Sequence, residues 1–106
     1  MKPDSILKKF LGGIRAVSPK IKKIYLFGSR ARGTERPDSD YDLLLVVEEG
    51  FSLADREQLY DTVMDVLLDT GRLVSLKIFK ESVFKKLSGI PTPFMGNVLK
   101  EGILLG

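Results

Sequence analysis

Residues Gly28 to Asp42 read GSRARGTERPDSDYD, and the reading of this stretch decides the fold. An apolar run, Ile24-Tyr25-Leu26-Phe27, leads into it, and a stronger one, Leu43-Leu44-Leu45-Val46-Val47, leads out. A strand alternates its side chains, so Asp40 and Asp42 at its start point to one face. Two carboxylates side by side repel unless a cation sits between them. Hard oxygen ligands favour magnesium, which takes one or two protein carboxylates together with substrate phosphates. Gly28-Ser29 closes the preceding strand. Free backbone N–H groups at such a turn hold phosphate, above all if Ser29 opens a short helix. A phosphate cradle beside a carboxylate pair points to chemistry on a nucleotide.

Composition narrows the alternatives. The chain has 106 residues, enough for one domain spanning 1–106 with a modest core. It contains no cysteine and no histidine, which excludes disulfides, thiolate zinc sites and a histidine base. Any metal is therefore held by oxygen. Lys8, Lys9 and Arg15 break the apolar pattern of residues 6–17, so the N-terminus does not read as a signal peptide. No apolar run reaches membrane-spanning length, and a cytoplasmic protein is expected. The net charge of +3 conceals an asymmetry. Residues 1–36 carry ten Lys/Arg against two acids, a balance of +8, and residues 37–76 carry ten acids against two Arg, a balance of −8. The basic segment reads mainly as solvated helix faces, with Lys8, Lys9, Lys20, Lys22 and Lys23 outward. Nucleic-acid binding is the weaker alternative, because aromatic residues are few and no nucleic-acid motif is present.

The remaining chain reads as helices and strands around the motif. Asp4 or Ser5 caps a helix whose apolar positions Ile6, Leu7, Phe10, Leu11, Ile14 and Val17 keep helical spacing until Ser18-Pro19 stops it. Strands are expected over about 22–27, 40–47 and 73–79, and a short helix over 28–33. Strand 40–47 is apolar on both faces and so central. Ser52 with Asp55 three residues on resembles a capping box, opening a long helix that Gly71 terminates. Helices near 81–87 and from Thr92-Pro93 to Gly102 follow, and Ile103-Leu104-Leu105 forms a tail.

Gly28-Ser29, ten residues, then Asp40-Tyr41-Asp42 resembles the signature of the minimal nucleotidyltransferases, small members of the DNA polymerase beta superfamily. The resemblance implies an α+β fold, a three-stranded mixed sheet with helices packed on it in the order αβαβαβαα. It also implies transfer of a nucleoside monophosphate, AMP from ATP, to a hydroxyl with magnesium or manganese. Asp40 and Asp42 are the expected catalytic and metal-binding residues. Gly28 and Ser29 are expected at the β- and γ-phosphates; the alternatives are a plain turn glycine and a helix N-cap, and Ser29 can serve in both ways at once. Arg30 and Arg32 either neutralise triphosphate charge or lie on an exposed turn. Asp38 reads as solvated loop, and Tyr41 as packing on the opposite face.

One position departs from the signature. The third carboxylate usual on the next strand is replaced by Ser75, in Val74-Ser75-Leu76. That acid normally completes the metal site and takes the proton from the attacking hydroxyl. A nucleotide-binding and partner-binding module with weakened catalysis is therefore the alternative. Glu81 lies beyond the strand with an unassigned role. The chain has no room for an acceptor-binding domain, so the acceptor is expected on a partner. In the family that partner is a small helical HEPN-domain protein modified by an antitoxin. A homo-oligomer is the other arrangement expected.

Overall fold

The computed structural model describes residues 5–28 and 40–105. Helix α1 (Ser5–Gly13) leads through a single 3-10 turn (Ser18–Lys20) into β1 (Ile21–Phe27). Strand β2 (Tyr41–Val47) is followed by the long helix α2 (Leu53–Thr70), then β3 (Val74–Lys80), α3 (Glu81–Ser88), α4 (Pro93–Glu101) and β4 (Ile103–Leu104). The mixed sheet has the order β3-β2-β1-β4. Strand β1 is antiparallel to both β2 and β4, while β2 and β3 are parallel. Parallel neighbours need a crossover connection, and α2 supplies it.

Strand β2 is central, as its two apolar faces imply. Leu43, Leu45 and Val47 join a core built with Leu7 and Phe10 of α1 and Leu59, Val63 and Val66 of α2. Leu44 and Val46 face the other way, against Phe84 of α3 and Met95 and Val98 of α4. Helices α1 and α2 thus cover one face of the sheet, and α3 and α4 the other.

Two elements differ from the sequence expectation. The first helix ends at Gly13, short of Val17. Thr62 of α2 reaches this point and donates its hydroxyl to the Gly13 and Gln58 carbonyls. A Cβ on Gly13 would stand 2.5 Å from the Thr62 Cγ2, so glycine permits the approach of the two helices. Beyond Gly13, Val17 N–H donates to the Ile14 carbonyl and Ser18 N–H to the Arg15 carbonyl, which is tighter winding. Ile14 and Val17 remain buried despite the change. The second difference is a fourth strand. Ile103 and Leu104, expected as a tail, pair with Leu26 and Tyr25, and the Leu105 N–H donates to the Ile24 carbonyl. The short helix expected over 28–33 lies outside the described residues, apart from Gly28.

The start of α2 carries the capping box that Ser52 and Asp55 imply. The Asp55 N–H donates to the Ser52 Oγ at 3.2 Å, and the Ser52 N–H donates to the Asp55 Oδ2 at 2.9 Å. Lys20 adds an ion pair to the same carboxylate at 3.0 Å, tying the start of β1 to α2. Gly71, at φ 73°, ends the helix where expected.

The Ser52 N–H, and next the Lys20 ammonium, hold the Asp55 carboxyl below its ordinary value. Stability from a depressed carboxyl is full above the ordinary carboxylate range and is lost as pH falls through the folded value. Asp55→Asn should therefore lower Tm at pH 7, with the gap to the parent closing in acid. Thermal melts from pH 7 to pH 3 check this; a constant gap would show that the charge contributes nothing. Ser52→Ala, which removes the cap, should cost about 1 kcal/mol.

Candidate active site

The pairing register assembles the site. Ser75 of β3 is the Cα partner of Asp42 on β2, and Asp42 is the partner of Phe27 on β1. Directly paired residues show their side chains on the same face. Ser75, Asp42 and Phe27 therefore form a row across three strands, on the face covered by α3 and α4. Asp42 is the one residue of β2 that is not buried. Asp40, two residues earlier and exposed, shares its side of the chain. Tyr41 is 4% exposed and packs in the opposite core, as its alternation requires.

Gly28 follows Phe27 with φ +76°, in the left-handed region that a Cβ makes costly. A Cβ there would also stand 2.5 Å from the Asp42 Oδ2. Glycine is needed both for the turn and for the carboxylate. The end of β1 thus lies directly against the Asp42 carboxylate. Ser29, Arg30, Arg32 and Asp38 lie outside the described residues.

The donor set is two carboxylates on the rim of a sheet, which suits a magnesium or manganese ion that retains waters and takes phosphate oxygens. Asp40 and Asp42 are the residues able to hold it. Among the described residues, no set of three or more Asp, Glu, His or Cys side chains gathers at one place. Ser75 faces Asp42 where a third acid would stand. Glu81 does not replace it. It follows Lys80, the partner of Val47, at the other end of the strands, about 20 Å along β3 from Ser75.

The two cavities described also lie at that far end. One, of about 370 Å³, is lined by Val47, Phe51, Ser52, Leu53, Arg56, Ile78 and Lys80. The other, of about 280 Å³, includes Lys22, Lys23, Glu81 and Lys85. Neither contains a residue of the row. A contact that sequence reasoning missed borders the row instead. The ring of Phe94, from the first turn of α4, meets Phe27 edge-on with centroids 5.7 Å apart. No spacing signal joins residues 27 and 94; only the packing of α4 on the sheet brings them together.

Residues 13–106 match the family model described as polymerase beta, nucleotidyltransferase. The chain belongs to this nucleotidyltransferase family. A chain of Methanocaldococcus jannaschii provisionally named a protein adenylyltransferase is 33% identical over 106 residues, covering 99% of each. A solved structure provisionally named a minimal nucleotidyltransferase is 28% identical, with a TM-score of 0.57 over 97% of this chain and 95% of that one. A toxin–antitoxin crystal structure with AMP-PNP shares the fold at 21% identity, with a TM-score of 0.58 over 93% and 71% of the two chains. The family resemblance and the α+β fold expected from the signature are thus borne out, and the chain is placed among transferases of nucleotidyl groups. No helix among the described residues is long and apolar enough to cross a membrane.

Gly28→Ala should lower stability by about 1–2 kcal/mol through the left-handed backbone, and further through its contact with Asp42. In an Asp42→Ala background the second part should vanish, making the two changes non-additive. Denaturant melts of the four proteins measure this. Strict additivity would mean that Asp42 does not set the need for glycine.

Proposed function

We propose that this nucleotidyltransferase moves AMP from ATP to a hydroxyl on a partner protein. The observation that carries the reading is the position of Asp42, half-buried at the strand rim, with Asp40 on its side and Gly28 folded against it. The Methanocaldococcus relative supports a protein acceptor by its name, and the toxin–antitoxin neighbour supports a partner and an adenine nucleotide.

In this reading the Gly28 turn and Ser29 hold the terminal phosphates through N–H and hydroxyl donors, with Arg30 and Arg32 as candidates to balance their charge. Asp40 and Asp42 would hold magnesium or manganese, which when bound polarises the α-phosphate and offsets its charge. The acceptor oxygen attacks the α-phosphorus, the bond to the β-phosphate oxygen breaks, and pyrophosphate leaves. Positioning and charge stabilisation carry most of such a reaction. The hydroxyl proton must also be taken up, and Ser75 offers only a neutral, weakly basic oxygen beside Asp42. The acceptor belongs to a partner in this reading, as the names of the Methanocaldococcus relative and the toxin–antitoxin neighbour support, and the family resemblance suggests a small helical HEPN-domain protein.

The register of Ser75 with Asp42 favours a second reading, in which nucleotide and partner are bound but turnover is slow. Two experiments separate the possibilities. Asp40→Asn combined with Asp42→Asn should abolish magnesium-dependent ATP binding while the fold survives, since mutual repulsion is relieved. Calorimetry giving unchanged affinity would remove the pair from the site. Ser75→Asp should raise transfer of labelled AMP to the partner, because a general base is typically worth ~10²–10⁴-fold. A parent already at full rate, with no gain on substitution, would place the base elsewhere and reject the slow-turnover reading.

A further inference from the structure

We propose that Phe94, seated on Phe27, is the surface on which the nucleobase of the triphosphate stacks. The inference rests on the reading above and adds the direction in which the nucleotide lies. From Asp42, one interstrand step of about 5 Å reaches Phe27. A further 5.7 Å between ring centroids reaches Phe94. The ribose has to span this interval if the α-phosphate lies at the carboxylate pair.

Phe94 is held firmly for such a role. Thr92 caps α4 by accepting the Met95 N–H at 3.2 Å, and Pro93 takes the first turn. Met95, next in the chain, is 2% exposed and anchors the helix in the core. The first turn, and Phe94 with it, therefore has a fixed position over the end of β1. Yet the Phe94 side chain is 36% exposed, the largest exposure given for any phenylalanine of the described residues. Its perpendicular contact with Phe27 leaves part of the side chain exposed. The other close aromatic pair, Tyr25 with Phe84, sits deeper, with Phe84 only 7% exposed. Exposed Tyr60, Met64 and Leu68 belong to α2, across the sheet from the row.

The row fixes sides as well. Phe27 and Phe94 flank Asp42 toward β1 and α4, while Ser75 flanks it toward β3. The base then lies on one side of the carboxylates and leaves the other side to the acceptor hydroxyl. Because every base has a π-face, stacking tolerates all four bases. Stacking on Phe94 therefore discriminates weakly among nucleoside triphosphates.

Calorimetry with magnesium-ATP and with magnesium-tripolyphosphate, which has no base, tests the proposal. Phe94→Leu keeps an apolar contact on Phe27 and removes the aromatic face. It should weaken ATP binding roughly 10- to 100-fold and leave tripolyphosphate binding unchanged, whereas Phe94→Tyr should keep both. The chain contains no tryptophan, so Phe94→Trp creates a single fluorophore at the proposed contact. Its emission should be quenched by ATP and not by tripolyphosphate. If Phe94→Leu fails to fold, as judged by circular dichroism, the tryptophan variant decides. Equal ATP affinity in folded Phe94→Leu and parent, or no ATP-specific quenching, overturns the stacking site and leaves the functional reading intact. A folded parent that binds neither ATP nor tripolyphosphate overturns both.

Discussion

The burial of β2 on both faces is the constraint from which the other elements follow. Six of its seven residues are buried, and no single layer can cover both of its apolar sides. Helices α1 and α2 close one face and α3 and α4 the other, while β1 and β3 satisfy its backbone on either edge. A central strand of this kind has no tolerance for slippage, since a shift of one residue would turn Asp42 into a core and Leu43 out to the rim. Apolar burial thus sets the register, and the register sets which residues stand beside Asp42.

The candidate site is therefore a by-product of a packing solution. Its residues come from three strands whose common alignment is decided some distance away, in the two cores. Gly28 is the local adjustment that lets β1 end against the carboxylate without a clash. Ser75 is held beside Asp42 by the same pairing.

Much of this was legible because it depended on short periods. The shared side of Asp40 and Asp42, the inward Tyr41 and the site-facing Ser75 all follow from alternation along a strand. The capping box of Ser52 and Asp55 and the terminating Gly71 are local signals within three residues or at a single position. What escaped is non-local or too short to have a period. The end of α1 depends on Thr62, which arrives from another helix, while helix-like spacing continues through Ile14 and Val17. Strand β4 has two residues, too few to alternate, and exists because β1 offers it an edge. Phe94 borders the row only because α4 packs over the end of β1. Ser29, Arg30 and Arg32 rest on the signature alone.

The two cores are insulated from each other by the sheet itself. The larger one, with α1 and α2, lies on the face opposite the row. The smaller, with α3 and α4, forms the wall beside it. Substitutions on the α1–α2 side would thus shift the folding equilibrium while sparing the rim, and changes at the exposed positions of α3 and α4 would reshape the wall beside it while Phe84, Met95 and Val98 hold the core. Such a division makes the fold evolvable, since the buried positions maintain the margin above the stability threshold while the exposed positions of the wall are free to diverge.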